Sequence, residues 1–259
     1  MLSNANHSSS LAGIALQHLV CLIALGGLTG IASGQVKNVT AAEMAAAPRY
    51  CAYTAAYGRS GTPGTPSAEA KPWVAIMGPT FWHLHHYCWG KLNLQRAMRG
   101  TVTEQQRNHL LWSAVGDYRY VTQRAPRDFI LLPEIHVGIG EIELRRGQLQ
   151  EANRAFADAR ALKPDYWPAY SHWAEFLMRS GQKAEAKQLV RTGLEYNPDA
   201  RILREQYRLL GGNPSEIVPR VKEGKLTEPI DDGESLMLFE ESEAEEAAAG
   251  ASRRGAATP

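Results

Sequence analysis

The residues most capable of chemistry stand together in Trp82-His83-Leu84-His85-His86-Tyr87-Cys88-Trp89. Imidazole and thiolate suit soft and borderline metals, so three histidines and a cysteine this close raise the question of a metal or haem centre. In a helix, residues three apart share a face, so His83 and His86 point together and His85 points away from both. One helix then offers two imidazoles. A third ligand would have to come from His109, His136 or a carboxylate such as Glu134, and no second cluster of paired ligands accompanies this one. If Cys88 is in a disulfide it cannot bind metal as thiolate. The plainer reading, and the preferred one, packs this helix through its aromatic and imidazole side chains against the segment from Tyr50 to Tyr57.

The rest of the chain has no nucleophile elbow, no phosphate-binding glycine loop and no HExxH pair. Gly138-Ile139-Gly140 puts two glycines inside a helical stretch, where close packing explains them better than phosphate binding does. The expectation is no catalytic residue and no cofactor. A formal net charge of +1 gives no bias toward nucleic acid.

The elements that must position these residues are helical. Alanine, leucine, glutamate and arginine dominate the middle of the chain, a helix-forming composition. Gly58 to Lys71 is rich in glycine and proline and reads as a loop. Gly78-Pro79 then opens a long helical stretch. Beyond it the sequence repeats. Pro164 and Pro198 are 34 residues apart, and so are Gly147 and Gly181, Ala152 and Ala186, and Leu162 and Tyr196. In the second unit Tyr170, Trp173, Ala174 and Leu177 recur at helical spacing on one face. Gly181 ends that helix, and Ala186 is small where two helices must cross. Val190 and Leu194 face back onto the first helix, and Pro198 stops the second. Ile139, Gly140, Gly147, Ala152, Phe156, Ala159, Leu162 and Pro164 play these parts in the first unit.

This 34-residue pattern, across Pro133 to Pro198, resembles the tetratricopeptide-repeat family. The resemblance implies an all-α fold, a short right-handed solenoid of antiparallel helix pairs. Residues 79–212 form the helical domain: a degenerate repeat over 79–128, clear repeats over 133–164 and 167–198, and a capping helix over 200–210. The degenerate unit carries Ala114, Tyr118 and Pro126 at the spacing of a second helix. Its first helix would run from Thr80 to Met98, with a long connection through Arg99 to Arg107. In such a stack the first helices line a concave groove that holds a protein or peptide partner. Glu141 with Glu175, and Arg145 with Arg179, are the exposed groove positions. Repeats that grip a terminal carboxylate carry Lys and Asn where this chain has Val137, Gly138 and Glu141, then Ser171, His172 and Glu175, so a chaperone-tail ligand is not expected. The function implied is an adaptor or scaffold; the alternative is a metal-binding or redox protein using His83 and His86.

Residues 1–34 read differently. Leu11 to Ala32 is apolar apart from Gln17, His18 and Thr29, and Ala32-Ser33-Gly34 suits a signal peptidase. No Lys or Arg precedes Leu11, and the stretch is just long enough to span a bilayer, so a cleaved signal, a retained anchor through residues 11–32, and neither all stay open. Val20 before Cys21 does not suit a lipoprotein signal. Removal of the segment would leave Cys51 and Cys88, an even count that suggests a disulfide in an exported chain, with two unrelated buried thiols as the alternative. The expected location is the periplasm or the inner membrane facing it, with the cytoplasm as the alternative. Residues 35–78 are an irregular N-terminal segment. Residues 213–259, with an acidic run and one apolar island from Leu236 to Phe239, read as a mostly disordered tail.

Overall fold

A computed structural model describes residues 38–220. The signal or anchor expected over residues 1–34 and all of the tail expected over 213–259 except 213–220 lie outside the described residues; that first part carries a short 3-10 turn at Pro214–Glu216. Helices make up most of what is described. They are α1 (Ala41–Ala45), α2 (Lys71–Met77), α3 (Leu84–Ala97), α4 (Glu104–Thr122), α5 (Leu132–Arg145), α6 (Leu149–Leu162), α7 (Pro168–Arg179), α8 (Lys183–Tyr196) and α9 (Arg201–Leu209). A two-stranded antiparallel hairpin, β1 (Gly61–Thr62) with β2 (Thr65–Pro66), interrupts the loop between α1 and α2. No helix among the described residues is long and apolar enough to cross a membrane.

Local chemistry sets the helix ends. Thr103 caps α4: its hydroxyl accepts from the Gln106 amide, and the Gln106 side chain accepts from the Thr103 amide. Proline sits in the first turn of α5 and α7, where its missing N–H is no loss. Gly147, Gly181 and Gly211 follow α5, α7 and α9 with φ of 73°, 79° and 72°, the left-handed region that favours glycine. At each turn one backbone bond closes the helix: Gln148 N to Glu143 O at 2.8 Å, Gln182 N to Leu177 O at 2.9 Å, and Gly212 N to Tyr207 O at 2.8 Å. One turn geometry thus recurs three times.

The helices stack in pairs: α3 on α4, α5 on α6, α7 on α8, with α4 against α5, α6 against α7 and α9 against α8. This is a short tetratricopeptide-like solenoid. One core cluster runs from Cys51 through Phe81, Tyr87 and Tyr118 to Ile135 and Ile142. A second gathers Phe156, Trp173, Leu177, Val190, Leu194 and Leu203. Ala152 and Ala186 are fully buried at the crossings. A Cβ on Gly138 would stand 2.5 Å from the Tyr118 ring, and one on Gly140 2.7 Å from the Phe156 ring. Both glycines are there for close packing.

The segment before α3 is more regular than its composition suggests. Helix α2 precedes Gly78, because Pro72 falls in its first turn. From Gly78 to His83 the chain winds as a 3-10 helix, and α-helix starts only at Leu84, not Thr80. The α3–α4 connection runs from Met98 to Thr103, shorter than the sequence suggested. Two devices fasten the segment to the stack. Cys51 and Cys88 form a disulfide with Cα atoms 5.6 Å apart. Glu43 is buried and receives Arg96 Nε at 2.6 Å and Arg99 Nη2. The Arg96 hydrogen bond, with Thr40 and Arg99 assisting, outweighs burial and holds the Glu43 carboxyl well below the usual carboxylate range.

Candidate partner-binding groove

The first helices of successive pairs lie side by side. Helix α5 packs on α7, and α7 packs on α9. Tyr87 and Lys91 of α3 reach Glu134 of α5: the tyrosine hydroxyl donates to Glu134 Oε1, and Lys91 Nζ lies 3.5 Å from the same atom. Burial, then the charge of Glu134, pushes the Tyr87 hydroxyl well above its ordinary range, so it stays a donor.

One helical step along, Glu141 Oε1 lies 2.8 Å from His172 Nδ1 of α7. The hydrogen bond to Glu141 raises the histidine pKa, against burial. Burial pushes Glu141 upward, but its bond to His172 and the charges of His172, Arg145 and Lys91 leave it lowered on balance. The two shifts agree in favouring the ion pair. Between α7 and α9, Gln206 Nε2 donates to Ser171 Oγ at 2.9 Å. A row of cross-helix polar contacts therefore runs from α3 to α9.

The four residues read from the repeat spacing sit differently from one another. Arg145 is exposed and donates to the Glu141 carbonyl at 3.0 Å, not to its carboxylate. Arg179 and Glu175 are exposed and pair within α7 at 2.8 Å. Glu141 is half-buried and committed to His172. Lys91, Glu134 and His172 were not read as a set from the sequence. Their spacing carries no repeat signal, and only the packing of α3, α5 and α7 brings them together. At the positions where a carboxylate clamp needs Lys and Asn, Val137 and Ser171 are buried and Gly138 lies under Tyr118.

The histidine-rich helix does not assemble a ligand set. His83 and His86 both face Tyr120, with ring centroids 5.9 and 3.7 Å away, and the Arg124 guanidinium lies 3.6 Å from the same ring. His86 Nδ1 bonds Asp117 Oδ1 at 2.8 Å, and Asn93 reaches the other Asp117 oxygen at 3.5 Å. His85 was expected to point away from both neighbours. Instead its ring lies 4.5 Å from His86 and 4.9 Å from Trp89, with Nδ1 2.9 Å from the Trp82 carbonyl. Burial, with His86 beside it, lowers its pKa to about 4. The candidate third ligands are elsewhere: His109 by Trp112, His136 3.8 Å from Asp158, and Glu134 with Tyr87. Cys88 is held in the disulfide. Among the described residues no group of three or more His, Cys, Asp or Glu is placed to hold a metal ion.

The structure also shows a buried carboxylate with no sequence signal. Glu143 of α5 is fully buried, with Arg146 at 2.6 Å and Arg119 of α4 at 3.0 Å. Arg119 extends to Glu151 of α6 at 3.4 Å. This network joins three helices on the side of α5 away from Glu141.

Comparison with known proteins agrees with the geometry. Residues 143–206 match the tetratricopeptide repeat family model, from the end of α5 through α8 into α9. Neither curated proteins nor solved structures gave a significant match. Repeated helix pairs, the recurring glycine turn and this match together identify tetratricopeptide repeats within residues 143–206.

Proposed function

We propose that this protein is an adaptor that holds a polypeptide segment along the side formed by α3, α5, α7 and α9, outside the cytoplasm. Tetratricopeptide repeats serve in general to bind protein partners, and solenoids of this kind present an extended concave face for it. The observation that carries the reading is the mixed-charge ladder across that side. Arg145 and the Glu175–Arg179 pair are exposed there, beside the more enclosed Glu141–His172 pair. Alternating acids and bases suit a segment that carries charges of its own, since each contact rewards one register and penalises others. The Cys51–Cys88 disulfide supports an oxidising compartment, and the apolar segment over residues 11–32 supports export or anchoring.

The test is capture of the partner that copurifies with the wild-type chain. Arg145→Glu with Arg179→Glu reverses two exposed charges and should leave circular dichroism unchanged while abolishing capture. Undiminished capture by a folded double variant overturns the groove assignment. Alkylation of protein taken from its native compartment checks location: Cys51 and Cys88 should be oxidised, and free thiols there contradict export.

A further inference from the structure

The connection from α3 to α4 carries a positive charge that the fold does not use up. Arg96, at the end of α3, meets both oxygens of the buried Glu43, Nε to Oε1 at 2.6 Å and Nη2 to Oε2 at 2.9 Å. That bidentate pair already balances the carboxylate. Arg99 brings a second guanidinium to Glu43 through a single Nη2 bond. Two cations on one carboxylate leave one charge in surplus, on a side chain that is 49 % exposed. Among the described residues Arg99 has no other carboxylate at ion-pair distance, and the other N–H groups of its fork are unspent.

Arg99 lines a cavity of about 500 Å³ together with Asn38 and the start of α4. The other polar walls of this cavity are also donors. Gln106 spends its side-chain oxygen on the Thr103 amide at 2.9 Å, which fixes the carboxamide and leaves its NH2 group without a partner among the described residues. The Thr101 hydroxyl and the His109 ring, both in the wall, make no hydrogen bond there either. Arg107 Nε donates to the Ala97 carbonyl at 3.2 Å and steadies the turn that carries these groups. Glu104, the acid in the first turn of α4, is not part of the lining. Helix α4 starts here, so the positive end of its dipole adds to Arg99. Val102 and Leu110 supply the apolar part of the wall.

We propose that this cavity binds a phosphate monoester. A carboxylate offers two oxygens, whereas a phosphate group offers three strong acceptors and more charge to a space walled by four donor side chains. The volume is that of a small-molecule site and exceeds what an inorganic ion fills, so the carbon body of the ester lies against Val102 and Leu110. The site shares no residue with the partner groove and does not rest on that reading.

Equilibrium dialysis of the full chain against phenyl phosphate, inorganic phosphate, benzoate and phenol tests it. Phenyl phosphate should saturate at one equivalent, inorganic phosphate and benzoate should bind at least about tenfold more weakly, and phenol should not bind. Added salt should weaken the phosphate ester. Arg99→Gln removes the surplus charge, leaves Glu43 paired with Arg96, and should cost about tenfold or more in affinity. Thr101→Glu sets a carboxylate in the cavity from an exposed position and should abolish binding with circular dichroism unchanged. Arg145→Glu with Arg179→Glu should bind as the wild type does. No binding of phenyl phosphate, or unchanged affinity in Arg99→Gln and Thr101→Glu, overturns the site. Benzoate held as tightly as phenyl phosphate overturns the assignment to phosphate.

Discussion

His172 of α7 and Glu141 of α5 meet at 2.8 Å, joining two successive repeats on the side proposed to hold the partner. Their titration fixes when the bond helps. His172 is raised above its ordinary 6.5, so its contribution is complete below that value and is lost as pH rises through the folded pKa. Glu141 is lowered below 4.5, so its contribution is complete above that value and is lost as pH falls through the folded pKa. The pair therefore helps most between those two ordinary values. The His172 side chain is 37 % exposed, so water screens it and His172→Ala should cost only on the order of 0.5 kcal/mol at pH 5.5. Urea unfolding should show that difference shrinking toward zero at pH 9. An equal difference at both pH values contradicts the assignment.

Glu143 gives an asymmetric expectation. The carboxylate is the buried partner, whereas Arg119 and Arg146 keep partial access to water, at 43 % and 24 % exposure. Removing both arginines strands a charge inside the protein; removing Glu143 lets two guanidinium groups hydrate. Arg119→Met with Arg146→Met should thus cost about 3 kcal/mol or more, and Glu143→Met clearly less. Denaturant midpoints with unchanged slopes would establish the order. A costlier Glu143→Met reverses the argument.

Two glycine substitutions should move stability in opposite directions. Gly138→Ala places a methyl group 2.5 Å from the buried Tyr118 ring and should cost about 1–3 kcal/mol. Gly116 of α4 has open space where a Cβ would stand, with nothing within 4 Å, and Gly116→Ala should add about 0.5–1 kcal/mol through helix propensity alone. Thermal melts of the two variants should shift to either side of the wild type. A shift of the same sign in both contradicts the packing account.

Reduction of the disulfide should act locally as well as globally. The bridge spans a separation of 37 residues, for which loop entropy predicts a loss of about 4 kcal/mol. Hydrogen exchange should rise first in residues 49–57, while α7 and α8 stay protected, because the bridge fastens that segment to α3 and only the stacking of Tyr50 on Tyr87 and the Glu43 pairs with Arg96 and Arg99 nearby remain beside it. Uniform acceleration across all helices contradicts a local staple.

The solenoid was legible because its repeat is written in residue types with one mechanical duty each. Gly147 and Gly181 supply left-handed turns, and Ala152 and Ala186 supply close crossings. The polar contacts were not legible, because they join residues far apart in sequence with no period. Glu43 to Arg96, Glu143 to Arg119 and Glu141 to His172 depend on helix placement rather than on local pattern. His85 shows a further limit. Helical spacing put it on a different face from His86, but adjacent rings can still lean together when Trp89 gives both a surface to pack on. Helix α2 was hidden by Pro72, which ends helices in most positions and starts them in one.

Site-specific photocrosslinking tests the central claim most directly. A photoreactive residue at Glu175 stands on the proposed binding side, and one at Arg154 of α6, 69 % exposed, stands on a second helix of a pair. The account predicts that the Glu175 position joins the copurifying partner and the Arg154 position does not. Crosslinks from Arg154 with none from Glu175 would place the partner on the other side and contradict it.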